Sequence, residues 1–242
     1  MNYIEYFTNY VKYNYDINND LVQNKYYHSL RVAKLMLLLS KKLNLNEEET
    51  ILAFKLGLCH DLGRFHEVEI NGKFNNKTFD HGSYSNKILY NDKFVNYMDI
   101  DNHLLFRKAI YCHNKKELAS NLNYQEAFYA NLLRDADKID IIGMRSQGRP
   151  LDFIYEPTKE VINNYLNNEA IDIRDINNKT DSTILYLSFI KNLVFDASYD
   201  FIIESDNVEN LISIINISDN NNDLFNLVLE KIYERRGKVY VR

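Results

Sequence analysis

The chain has 242 residues, 45% of them hydrophobic, and a formal net charge of −5. That length suits a single domain over residues 1–242 with a sizeable core, and the acidic balance argues against a nucleic-acid polymer or an anionic membrane as partner. No apolar run reaches the length of about 18 residues that a membrane span needs. The opening Met1-Asn2-Tyr3-Ile4-Glu5-Tyr6 has neither a basic nor an apolar leader region, so a cytoplasmic location is expected. With only 7 Gly and 2 Pro (Pro150 and Pro157) among Leu-, Ile-, Tyr-, Lys- and Glu-rich segments, the chain reads as all-α.

Asp20 is placed to cap a helix running to about Leu43. On it, Leu21, His28, Val32, Leu35 and Leu39 share one face, so His28 points inward. Asn46 and Glu49 form a capping-box pattern. They open a second helix through Ile51, Leu52, Phe54 and Leu58, which delivers His60-Asp61 and stops near Gly63. Residues 64–80 are polar, contain Asn71-Gly72 and Asn75-Asn76, and read as a loop over the site. Asp80 caps the next helix, with His81 in its first turn, and Asn102 starts another that ends at Tyr111-Cys112-His113-Asn114-Lys115. Asn123 and Glu126 repeat the capping box ahead of a helix through Arg134-Asp135-Ala136-Asp137-Lys138-Ile139-Asp140. Beyond Pro157, helical segments are expected at 182–195, 207–217 and 222–235, with no internal repeat.

The dipeptide His60-Asp61 ends an apolar helix, where an imidazole and a carboxylate are costly if merely buried. A metal ion would remove that cost. Four of the six histidines, His28, His60, His81 and His113, fall at helix ends or on inward faces. Singly, each is more simply a hydrogen-bonded core residue; together they form an ordered donor set. There is no CxxC, no HExxH and no glycine-rich phosphate loop. A helical bundle can instead gather ligands from several helices. Nitrogen and oxygen donors suit one or two ions of Mn, Fe, Co, Ni or Zn, with Mg also compatible. Cys59 and Cys112 each precede a histidine, but neighbours on a helix diverge by about 100°, so both cysteines read as small buried apolar residues. For the last carboxylate, Asp135, Asp137 and Asp140 are all available. Helical geometry sets Asp137 one turn beyond Leu133 on the apolar flank and Asp140 inward. It turns Asp135 about 160° away, as a solvent-facing or Arg-paired group.

The ordered pattern His28, His60-Asp61, His81, His113 and Asp137 resembles the HD-domain superfamily of metal-dependent phosphohydrolases, in its six-ligand, two-metal form. The resemblance covers residues 20–142 and is strengthened by Asp61-Leu62-Gly63-Arg64, Asp80-His81-Gly82 and Arg134-Asp135-Ala136-Asp137-Lys138. Residues 150–242 read as a C-terminal helical extension. The resemblance implies an HD-domain helical bundle with additional C-terminal helices. It implies that His28, His60 and Asp137 hold one metal, that His81 and His113 hold the other, and that Asp61 bridges both. Asp137 is singled out because it follows Ala136, as the family's final ligand follows Ala. A metal-activated hydroxide would then attack phosphorus without a serine or cysteine nucleophile. Arg64, three residues after Asp61, occupies a place where relatives carry a basic residue near phosphate, and a guanidinium suits that contact. Lys115 is a weaker candidate for substrate binding and Lys25 weaker still, a solvated helix surface being the simpler reading of each. His66 and His103 read as ordinary surface histidines, and Tyr84 and Tyr90 as core packing before base stacking.

The expected partner is a small-molecule phosphate substrate, a nucleotide first, with homo-oligomerisation left open. The signature of cyclic-dinucleotide phosphodiesterases is absent, and the acidic pair of alarmone hydrolases is replaced by Gly63-Arg64. The run Asp80-His81-Gly82 resembles small bacterial HD hydrolases of diadenosine tetraphosphate. Two alternatives come from other classes: an HD-fold di-iron oxygenase using the same ligand set, and a non-catalytic HD signalling module. Iron-dependent oxygen uptake would mark the first, and near-zero bound metal the second.

Overall fold

The computed structural model describes residues 2–74, 78–91, 94–148 and 155–215. They are all-α, with no strand among the described residues. The expected helix at 222–235 lies outside them. The chain divides into two compact units, Met1–Asp137 and Lys138–Arg242.

In the first unit, α1 (Tyr3–Asn14) is capped by Asn2. The next helix, α2 (Asp20–Lys42), is capped by Asn19 and not by Asp20. Asn19 accepts from the amides of Leu21 at 2.9 Å and Val22 at 3.4 Å, which places the cap one residue earlier than expected. The inward face of α2 carries His28, Val32, Leu35 and Leu39, all buried. The Asn46–Glu49 capping box opens α3 (Glu47–Cys59) with both reciprocal bonds at 2.9 Å.

The stretch expected to be loop from residue 64 is helical up to Asn71, as α4 (Leu62–Asn71). Leu62, Phe65 and Val68, three residues apart, bury its inner face against a polar-looking background. Gly63 therefore does not end a helix. It lies in the first turn of α4, where an added Cβ would sit 2.3 Å from the His81 carbonyl oxygen and 2.8 Å from the Ser85 nitrogen. Only glycine lets α4 approach α5 (His81–Asn91) this closely. α6 (Phe94–Tyr97) and α7 (His103–Cys112) follow, the latter capped by Asn102 as expected. α8 (Tyr124–Ser146) starts at the second capping box, with Asn123 and Glu126 exchanging bonds of 2.9 Å. Helix α3 packs on α2, and α5 packs on α4 and α7. Gly57 in α3 would place a Cβ only 2.6 Å from the Ala33 Cα, so these two helices also meet nearly backbone to backbone.

The second unit contains the end of α8 with α9 (Lys159–Leu166), α10 (Lys179–Lys191), α11 (Asp196–Ile203) and α12 (Asn207–Ile215). Its core includes Val161, Tyr165, Ile184, Leu187, Ile190 and Ile202. The buried Asp181 carboxylate ties the segment before α9 to α10, accepting from the Thr158 amide and hydroxyl at 2.8 Å each and from the Asn177 amide at 3.0 Å.

Candidate metal centre

The six expected ligands come together in the first unit, delivered by helix ends and inward faces. α2 supplies His28 from its middle, and α3 ends at His60. Asp61 sits at the break before α4 with φ −105° and ψ 21°, and its carboxylate makes no cap bond to that helix. α5 starts at His81, α7 ends beside His113, and α8 carries Asp137. His28, His60, Asp61 and His113 are buried, while the side chains of His81 and Asp137 keep 13% and 20% of their exposure.

The two oxygens of Asp61 face different partners. Oδ2 lies 3.4 Å from His28 Nε2 and 3.5 Å from His60 Nε2. Asp137 Oδ1 closes that group at 3.1 Å from His28 Nε2 and 3.8 Å from His60 Nε2, with the two imidazole nitrogens 3.2 Å apart. Oδ1 lies 3.6 Å from His81 Nε2 and 3.5 Å from His113 Nε2.

The histidine protons can be placed from their partners. His60 Nδ1 is 2.8 Å from the Gly57 carbonyl and His113 Nδ1 is 2.6 Å from the Ile110 carbonyl. A carbonyl can only accept, so each ring donates through Nδ1 and turns Nε2 toward the centre, where the neutral form presents a lone pair. In that form His113 Nε2 and Asp61 Oδ1 are two acceptors facing each other at 3.5 Å, both buried without a hydrogen-bond partner. Acceptors so placed repel unless a cation lies between them. The donor set therefore fits a metal. His28, His60 and Asp137 form one group able to hold an ion, and His60, Asp61 and His113 another. At ordinary nitrogen and oxygen ligand lengths of about 2.0–2.2 Å, one ion can be reached by donors spaced in this way.

Charge is arranged to match. Burial pushes the Asp61 carboxyl up, but the neighbouring charges, Lys25 first and then His60, more than offset it and hold the group well below the usual carboxylate range. Burial likewise raises Asp137, and the His28 bond and charge bring it back down. Burial drives His81 well below the usual imidazole range, outweighing the attraction of Asp61, so the ring is neutral. Burial pushes the Cys59 thiol up, in line with its reading as an apolar filler.

The other expected residues are placed as follows. Arg64 lies against the site with Nη1 2.6 Å from Glu67 Oε2, and its buried Nε has no hydrogen-bond partner. Lys115 is paired with Asp80 and lies over the Tyr111 ring. His103 is exposed, whereas His66 is half-buried, bonds Glu69 at 3.0 Å and stacks on Tyr84 at 4.4 Å. Tyr84 is also flanked by Phe79 and Lys87, and Tyr90 is 67% exposed beneath Arg107. Asp135 is not solvent-facing but fully buried. It belongs to a second buried stripe on α8, Leu132, Asp135, Ile139 and Ile142, which makes the covered arc of that helix wider than one face. Asp140 is buried, as expected.

Two supporting groups have no counterpart in the sequence reading, and a third, Lys25, ranks last there among the substrate-binding candidates. Ser85 Oγ accepts from the Gly63 amide at 2.8 Å and fixes the α4–α5 contact. Asn114 Nδ2 donates to Asp80 Oδ1 at 2.9 Å and lies 3.3 Å from His81 Nδ1. Lys25 Nζ donates to Asp61 Oδ2 at 2.7 Å. Its position three residues before His28, on the same helix, was the available signal.

Residues 26–142 match the HD-domain family, a span that contains all six of these candidate ligands. No curated protein and no solved structure matches the chain. On the family match, residues 26–142, the segment that builds the centre, are an HD domain.

Proposed function

We propose that the chain is a metal-dependent phosphohydrolase that cleaves a phosphate ester or anhydride of a small molecule, a nucleotide first, at a site for two divalent ions. The observation that carries this reading is the divided Asp61 carboxylate, with Oδ2 toward His28 and His60 and Oδ1 toward His81 and His113. In this reading His28, His60 and Asp137 complete one ion's set, His81 and His113 the other's, and Asp61 serves both. When bound, such ions supply Lewis acidity to water and to phosphoryl oxygens.

The residues set the conditions for that chemistry. The Nδ1 bonds of His60 and His113 turn their Nε2 atoms toward the centre, and the Asp61 and Asp137 carboxylates supply negative charge without needing to lose a proton first. Arg64 is held through Nη1 by Glu67, and in this reading its guanidinium supplies the fork that meets a phosphoryl oxygen. Lys115 is left out of the proposed contacts because Asp80 already holds its ammonium. Nucleotide as the substrate class rests on the resemblance of Asp80-His81-Gly82 to nucleotide-cleaving HD hydrolases.

A metal-resolved phosphatase screen tests this reading, with bound metal measured on the same samples. Wild-type protein is expected to release phosphate in a metal-dependent way, without oxygen uptake. Asp61→Ala is expected to lose both ions and all measurable activity. An active Asp61→Ala protein would overturn the mechanism, and iron-dependent oxygen uptake would move the protein to the oxygenase class.

A further inference from the structure

We infer that Lys25 is a second phosphate-contacting cation of this site, alongside Arg64; the inference rests on the phosphohydrolase reading and extends it. Sequence spacing ranks Lys25 below Lys115, and the structure reverses that order. Lys115 is paired with Asp80, a carboxylate that is 45% exposed, so its charge is already offset at the rim. Lys25 instead reaches the centre, with Nζ 2.7 Å from Asp61 Oδ2 and a side chain only 18% exposed.

Charge counting gives this contact its meaning. Asp61 and Asp137 together carry two negative charges, and one divalent ion offsets both. Among the described residues the Lys25 ammonium then has no recorded carboxylate left to compensate it, whereas the Arg64 charge remains offset by Glu67 at 2.6 Å. A mostly covered ammonium with surplus charge favours a nearby anion, because the interaction is weakly screened there. The ring of Phe74 lies 5.5 Å from Lys25 Nζ and 5.9 Å from the Arg64 guanidinium carbon, so one half-buried aromatic side chain lines both cations. Lysine acts on phosphate as a compact point charge and arginine as a fork, so the two contacts are complementary.

Two variants test the inference on metal-loaded protein. Lys25→Met keeps the aliphatic stem beside Phe74 and removes the charge, and Lys25→Arg keeps the charge. The readouts are bound metal per chain, equilibrium binding of inorganic phosphate and thermal unfolding. Lys25→Met is expected to fold and to hold wild-type metal, while phosphate binding weakens about ten- to hundredfold. Lys25→Arg is expected to recover part of that loss. Wild-type phosphate affinity in Lys25→Met removes the inference alone and leaves the phosphohydrolase reading standing. Loss of metal in parallel with phosphate makes Lys25 only the counter-ion of Asp61 and also overturns it. A loaded wild-type protein that neither binds phosphate nor releases it from any ester removes the reading and the inference together.

Discussion

The two sides of the Asp61 carboxylate are built differently. On the Oδ2 side, His28 and His60 come from α2 and α3, which meet nearly backbone to backbone at Gly57 and Ala33. Both rings are almost fully buried, and Asp137 Oδ1 lies 3.1 Å from His28. On the Oδ1 side, His81 starts α5 and His113 follows the end of α7. There the His113 proton is fixed by a carbonyl, but His81 Nδ1 faces the Asn114 amide nitrogen and its side chain is 13% exposed. One half of the centre is set by helix packing, the other by helix ends held together through a few polar contacts. The packed half should bind its ion more tightly, because less ordering remains to be done on binding.

The largest test of that difference is a pair of alanine variants. His28→Ala is expected to lose the tighter ion, and phosphate release should fall by ~100-fold or more. His81→Ala is expected to keep one ion per chain and lose the second. Metal analysis after gel filtration separates the two, and equal losses in both variants would erase the proposed asymmetry.

A smaller effect is expected at the contact that positions His81. In Gly63→Ala the new Cβ meets the backbone of His81 and Ser85, so α4 and α5 must move apart. Overpacking of this kind costs about 1–3 kcal/mol. Thermal unfolding should register that loss, and metal titration should show the second ion weakened more than the first.

The smallest effect is expected at the rim. Burial raises the Asp80 carboxyl, but its bonds from Lys115, Ser83 and Asn114 hold it well below the usual range. A depressed folded pKa contributes stability above the ordinary carboxylate pKa of about 4, and that contribution is lost as pH falls through the folded value. Because Asp80 is largely exposed, Lys115→Met should cost under about 1 kcal/mol near neutral pH. The difference from wild type should shrink below about pH 4. Denaturant unfolding at pH 7 and pH 3 measures both arms.

The starts of α3, α7 and α8 were legible because a cap is a local device, with an Asn side chain reaching an amide three residues on. The donor set was legible as an ordered set of residue types. The helix α4 was not, because its apolar residues are separated by Arg64, His66 and Glu67, and burial of Glu67 beside Arg64 is a tertiary event. Asp135 was misplaced for a related reason. A single-face reading of α8 has no means of showing that a second stripe is covered.

By itself, then, the sequence determined an all-α chain, its main helix starts and the residue types of the candidate metal centre. Those follow from backbone capping and side-chain chemistry over a few neighbouring residues. Only the tertiary structure decided which Asp61 oxygen faces which histidines, that Lys115 is held at the rim, and that Lys25 reaches the centre. Such relations join residues 36 positions apart in one case and 35 in another, and spacing along a helix carries no information about them. They depend on how closely the helices pack, which Gly57 and Gly63 permit through missing Cβ atoms whose effect is visible only against the neighbouring backbone.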